Sequence, residues 1–337
     1  SAANGKGFAP LAEYVHSLGL KFGIHIMRGI PRMAAHRHLP ILGTSITCAE
    51  LANPNSICAW NPDMYGVKQD HPLAQSYYDS IFQLYAQWGV DYVKCDDIAR
   101  EYPHCAREIE LISEARSTCG RDIVLSLSPG PAPLEQAEHL KKYANMWRIT
   151  DDFWDDWRLL KAMFERAEKW CIHAAPGHWP DADMLPIGPI NQVYGKENRT
   201  KFTEDEQRTM LTLWCIMRSP LMIGGDMTGF DEFTMSLLNN PELIEVLQHT
   251  HSAHPFFRKK TENAETCAWM ATYENGNLCV ALFNLGETET VVTAVLPFGT
   301  NYTCYDIWNK KKFTVADGCI SETLPKHGAA IYKVTKR

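Results

Sequence analysis

Three acid-rich segments carry the residue types and spacings that could do chemistry. In the first, Tyr92-Val93-Lys94-Cys95-Asp96-Asp97, an apolar run ends in carboxylates. Side chains alternate along a strand, so Lys94 and Asp96 fall on one side. A lysine beside a carboxylate keeps it ionised, which suits a nucleophile. A structural ion pair or a strand-end cap would have the same spacing. The second segment, Trp147 to Trp157 (WRITDDFWDDW), is dense in acid and indole. Aromatic faces pack on the apolar side of sugar rings, Arg and Asp bind hydroxyls, and one carboxylic acid held protonated can donate to a leaving oxygen. Asp155 and Asp156 read more simply as acids favoured at a helix start. The third, Pro176 to Leu185 (PGHWPDADML), adds Asp181 and Asp183.

Elements that would position these acids alternate in type. Apolar runs at Leu20 to Ile26, Asp91 to Asp96, Ile123 to Ser128, Met146 to Thr150, near His173 to Ala175, and Leu221 to Gly225 read as strands between helical patterns, the signature of βα units with a parallel sheet. One helix puts Tyr77, Ile81, Leu84, Tyr85 and Trp88 on a stripe closed by Gly89; another begins at Thr203, which has capping-box spacing to Glu206. On a parallel barrel the reactive groups sit at the carboxyl ends of strands, where all three acid segments fall, and that placement points to carbohydrate chemistry. Met27 to Gly66 breaks the alternation and reads as a long pocket-shaping loop. From about residue 255 to 337 short alternating runs predict an antiparallel β-sandwich, after a barrel domain over residues 1–254. Six strands do not close an eight-stranded barrel, so two βα units of roughly 30 residues each are expected upstream of Ser1.

A net charge of -7 offers no basic face for nucleic acid or an anionic membrane, and no run approaches the roughly 18 apolar residues that span a bilayer. The eleven cysteines contain no CxxC pair, and no glycine-rich phosphate motif occurs, so neither a metal nor a nucleotide cofactor is expected. His249, His251 and His254 form an H-x-H-x-x-H string, but it lies away from the strand ends and without matching acids. Compartment stays open between cytoplasmic and extracytoplasmic, and oligomeric state is open too, a homodimer being compatible.

The strings GLKFGIH, WGVDYVKCDD, WRITDDFWDDW and PGHWPDADML, in this order from about Tyr14 to Pro220, resemble the successive signatures of glycoside hydrolase family 27, the α-galactosidase and α-N-acetylgalactosaminidase family. The resemblance implies a (β/α)8 TIM barrel with a C-terminal β-sandwich, no cofactor, and hydrolysis of terminal α-galactosides or α-N-acetylgalactosaminides by double displacement. It implies Asp96 as nucleophile, Asp152 rather than Asp151 as acid/base, and sugar contacts from Lys94, Arg148, Asp183 and the neighbouring Met184, with the two carboxyls roughly 5 to 5.5 Å apart as retention requires. The chain departs from the family at several positions. His25 replaces a sugar-contacting Tyr. Ser128 stands where galactosidases carry a Glu facing the second carbon, as in acetamido-accepting members, although Pro129-Gly130-Pro131 fits neither pattern. Ile98 replaces a Cys, so the disulfide usual there is not expected. The paired sugar-holding acids of the second strand are missing from the chain. A β-L-arabinopyranosidase and a non-catalytic carbohydrate-binding barrel are the alternatives; a metal-dependent barrel hydrolase would need several strand-end ligands, and only His25 fits.

Overall fold

The computed structural model describes residues 2–190, 198–262, 264–297 and 299–337. The chain divides into two compact units, Ser1–Asp151 and Asp152–Arg337. In the first, strands Gly23–Met27, Tyr92–Asp96, Val124–Leu127 and Met146–Arg148 lie side by side in that order, all parallel. Helices Ala74–Gln87, Ala106–Thr118 and Ala137–Tyr143 connect them, the βα alternation of the expected barrel. Register sets His25 opposite Lys94, Met27 opposite Asp96, and Lys94 opposite Ser126. Val93, Cys95, Leu125 and Leu127 are fully buried, the near-continuous burial expected of parallel strands covered on both faces.

Two expectations change here. The helix after the long segment buries Ala74, Tyr77, Tyr78 and Phe82, while Leu84 is exposed. Its buried face is rotated from the predicted stripe toward Tyr78 because that tyrosine reaches a buried carboxylate, Glu108. The 27–66 segment is not a plain loop. It contains helices Arg32–His36 and Cys48–Leu51 and a small antiparallel sheet in which Met64–Val67 lies between Ile30–Pro31 and Ala52–Ile57. Thr47 and Glu50 form a capping box that starts the second of these helices.

In the second unit, helix Trp157–Trp170 is capped by Asp156, and Glu204–Met217 starts from the predicted box, with Thr203 N donating to Glu206 and Glu206 N to Thr203 Oγ1. Residues 173–175 are not a strand: Cys171–His173 form a 3₁₀ turn, and the strand is Trp179–Asp181, past the bridge between Ala175 and His178. Pro176-Gly177 makes the turn that delays it, with Gly177 at φ 84°. Met184–Leu185 pairs in parallel with Met222–Ile223.

The largest antiparallel sheet begins at Thr250. Strands Thr250–Lys260, Glu265–Tyr273, Leu278–Asn284, Ala329–Lys336, Tyr302–Asp306 and Lys311–Val315 form one sheet in that spatial order, and Thr290–Val295 pairs with Cys319–Leu324 in a second. Val292 and Ala294 point into the core with Val280, Leu282, Ile320 and Tyr332, while Val291 and Val295 face solvent, the period of two that a half-buried strand imposes. This is the expected β-sandwich.

Candidate active site

Asp96 ends its strand, and its carboxylate is held from three directions. Ser128, just past the end of the next strand, donates to Asp96 Oδ1 at 2.7 Å; His25 Nε2 lies 3.0 Å from Oδ2, and Lys94 Nζ 3.9 Å from the same oxygen. Burial alone would raise this carboxyl, but the hydrogen bonds from His25 and Ser128 and the Lys94 charge bring it down to about 2, so Asp96 is an anion at any ordinary pH. The side chain of His25 is 55% exposed and that of Asp96 11%, so the ring covers the carboxylate from the open side. Ser128, expected to face a sugar, is fully buried.

Beneath this strand end lies a buried network that the sequence reading missed. Arg28 pairs with Asp97 at 3.0 Å and Glu108 at 3.3 Å, and its Nε donates to Asp97 O at 2.6 Å. Glu108, without solvent exposure, also accepts from the Tyr78 hydroxyl, which in turn accepts from Gly29 N at 3.0 Å. Burial raises both carboxyls, and Arg28 opposes that in each. Asp97 adopts φ 62°, a left-handed conformation that a non-glycine residue keeps only where its surroundings hold it. Arg28 N donates to Asp96 O at 3.1 Å, so the network fixes the backbone that carries the nucleophile candidate.

Arg148, at the end of strand Met146–Arg148, is buried, and its carbonyl accepts from Ala132 N at 2.9 Å. Gly130 packs between two carbonyls: a Cβ there would come within 2.4 Å of both Arg148 O and Thr150 O, which explains a glycine inside Pro129-Gly130-Pro131. Asp151 pairs with Arg100 at 3.0 Å, and both Asp151 and Asp152 are exposed.

In the second unit, Asp152 precedes a tightly held residue. Phe153 N donates to Asp183 Oδ2 at 2.8 Å, and the Phe153 ring packs 5.0 Å from that of Trp214. Asp183 takes φ 76°, its own N–H donating to Asp181 Oδ1 at 2.8 Å and its carbonyl accepting from Trp214 Nε1 at 3.0 Å. Met184, next in sequence, packs against Gly224, where a Cβ would lie 2.7 Å from its sulfur. Asp156 is the helix cap as expected, but Asp155 is not a helix-start acid: it is buried and accepts from Lys201 N at 2.7 Å. The structure thus gathers His25, Lys94, Asp96 and Ser128 around one carboxylate, and joins the Asp152 segment to Asp183.

Among the described residues, no group of three or more His, Cys, Asp or Glu is arranged to hold a metal, and no helix is long and apolar enough to cross a membrane. His249, His251 and His254 are instead engaged locally, with Glu274, Ser252 Oγ and Ser252 O. The eleven cysteines are unbridged.

A family model described as alpha galactosidase A, Melibiase_2, matches residues 63–249, and one described as the alpha galactosidase C-terminal beta sandwich domain, Melibiase_C, matches residues 263–334. The chain is 25% identical to alpha-galactosidase 2 of Arabidopsis thaliana, over 98% of this chain and 73% of that protein. Among solved structures it is similar to a GH27 β-L-arabinopyranosidase of Geobacillus stearothermophilus, with 49% identity, a TM-score of 0.95, and coverage of 99% of this chain and 78% of that one. A Bacillus halodurans C-125 protein described as a candidate α-N-acetylgalactosaminidase matches at 44% identity with a TM-score of 0.87, over 100% and 80% of the two chains.

Proposed function

Because the chain belongs to glycoside hydrolase family 27, we propose that it is a retaining exo-glycosidase that releases terminal β-L-arabinopyranosyl units, with Asp96 as nucleophile and Asp152 as acid/base. The chain is a glycoside hydrolase acting on a carbohydrate, which leaves the sugar and the residue roles as the content of the proposal. The observation that carries the roles is the state of Asp96: a buried carboxylate, kept ionised and oriented by Ser128, His25 and Lys94. Such a group attacks carbon and has no proton to give.

Double displacement follows from these roles. An Asp96 oxygen attacks the anomeric carbon while Asp152 transfers its proton to the departing glycosidic oxygen, so the C–O bond to the aglycone breaks as the ester to Asp96 forms. Water then attacks the same carbon, its proton passes to Asp152, and Asp96 leaves as carboxylate. Two inversions give net retention. Asp152 is exposed, as proton exchange with water and aglycone requires.

For the sugar, the 49% identity to the Geobacillus stearothermophilus β-L-arabinopyranosidase favours the pentopyranoside. That sugar differs from an α-galactoside only in lacking the exocyclic hydroxymethyl group. Relatives named as α-galactosidases favour a second reading, an α-galactosidase. Hydrolysis of the 4-nitrophenyl β-L-arabinopyranoside, α-galactoside and α-N-acetylgalactosaminide by the purified protein separates them. The proposal expects the highest kcat/KM on the arabinopyranoside; a higher value on either other sugar overturns the sugar assignment, and hydrolysis of none points to a carbohydrate-binding role.

A further inference from the structure

His327 lies in the sandwich, in the turn between strands Cys319–Leu324 and Ala329–Lys336, and is almost fully buried. Its two ring nitrogens both meet carboxylates: Nδ1 is 2.6 Å from Glu206 Oε1, and Nε2 is 3.2 Å from Glu287 Oε1. Each nitrogen is within hydrogen-bond reach of a carboxylate oxygen, so the ring is held at both ends. Glu206 is fixed in turn by the capping box at Thr203, and Glu287 pairs with Lys326 at 2.5 Å. The backbone is held as firmly. His327 sits at φ 60°, its carbonyl accepts from Thr209 Oγ1 at 2.6 Å, and the buried Asn284 donates to Pro325 O at 2.8 Å. A buried ring held at both nitrogens on a left-handed backbone is a costly arrangement for a loop with no task.

What the ring touches is Trp157. The two rings stack with centroids 3.5 Å apart and planes at 15°. Trp157 Nε1 is buried with no hydrogen-bond partner among the described residues, so ring packing and not polar contact fixes the indole. Trp157 opens helix Trp157–Trp170, directly after the Asp155 and Asp156 anchors and five positions from Asp152. Phe153 pins the near end of the same short segment through Asp183.

We propose that His327 is a positioning residue for the acid/base: clamped between Glu206 and Glu287, it fixes Trp157 and with it the segment that presents Asp152 to the leaving oxygen. The sandwich thereby contributes to the protonation step, an inference that rests on Asp152 being the general acid. General acid help is worth roughly 10²–10⁴-fold for a poor leaving group and little for one that departs as a stable anion.

The test compares kcat/KM, which reports glycosylation alone, for the phenyl and 2,4-dinitrophenyl glycosides of the sugar that the protein hydrolyses. His327→Asn tolerates the left-handed backbone and keeps a polar group but loses the ring. It is expected to lower kcat/KM about tenfold on the phenyl glycoside and less than about twofold on the dinitrophenyl glycoside. Trp157→Leu, which leaves the His327 clamp in place, is expected to give the same split. Equal losses on both substrates, or no loss on either, in variants that keep the wild-type thermal transition overturn the inference. Asp152→Ala separates the two levels: if it shows no split, the acid assignment itself fails, whereas a split there without one in the His327 and Trp157 variants rejects only the role of His327.

Discussion

Removing the two hydrogen bonds on Asp96 should return an acid limb to the activity. Burial raises this carboxyl, and His25, Ser128 and Lys94 together bring it to about 2. A hydrogen bond to a charged group contributes about 1.5–3 kcal/mol, and one pKa unit corresponds to about 1.4 kcal/mol. The double variant Ser128→Ala/His25→Phe therefore loses about two to four units of stabilisation of the anion, and its Asp96 should titrate near pH 5. The nucleophile acts as the carboxylate, so raising its pKa moves the loss of activity upward in pH. The assay is kcat/KM between pH 4 and 8 on an aryl glycoside, since this parameter reports ionisations of the free enzyme. Wild type should be flat on its acid side down to pH 4, and the double variant should fall about tenfold per unit below its new pKa, each single variant lying between. A double variant that stays folded, as circular dichroism would report, and still shows the wild-type acid side refutes the account of Asp96.

Two further outcomes concern the scaffold of the same unit. Glu108→Ala removes one partner from the buried Arg28, Asp97, Tyr78 network and should cost about 3–5 kcal/mol in urea unfolding, because it leaves Arg28 under-compensated in the interior; a cost under about 1 kcal/mol would mean that the site is hydrated. Asp91 accepts from Phe22 N at 2.8 Å, Arg121 at 2.7 Å and His16 at 2.7 Å, and although burial opposes them these contacts lower its carboxyl to about 2. A depressed carboxyl contributes stability above its unfolded value near 3.8 and loses it as pH falls through about 2, so Asp91→Asn should cost about 2 kcal/mol at pH 6 and progressively less below pH 4. A stability gap between the two proteins that does not narrow with acid would contradict this.

The strand ends were legible in the sequence because an acid closing a short apolar run is a local pattern, and parallel topology puts such ends on one side. Asp96 with Lys94, and the Thr203 helix start, follow from spacing alone. What was not legible depends on contacts remote in sequence. Arg28 and Glu108 are 80 positions apart, and neither carries a local signal of burial. The stripe on Ala74–Gln87 was placed by hydropathy, which ranks Leu84 above Tyr78, whereas the tyrosine is buried for its hydroxyl as much as its ring. The run at His173 to Ala175 is apolar enough for a strand, and only the Pro176-Gly177 turn marks the delay to Trp179. Asp155 read as a helix-start acid because Asp156, one position on, is one; a long-range bond to Lys201 N distinguishes them. Position 98 shows the reverse case, where the expected family residue is absent and Ile98 fills a fully buried place in the core.

The central claim, that Asp96 is the nucleophile of a retaining hydrolase, is tested most directly by trapping. Incubation with a 2-deoxy-2-fluoro glycosyl fluoride of the hydrolysed sugar, followed by peptide mass spectrometry, should find the fluorosugar esterified to Asp96, with time-dependent loss of activity. A label on another carboxylate, or an initial product of opposite anomeric configuration to the substrate, would contradict it.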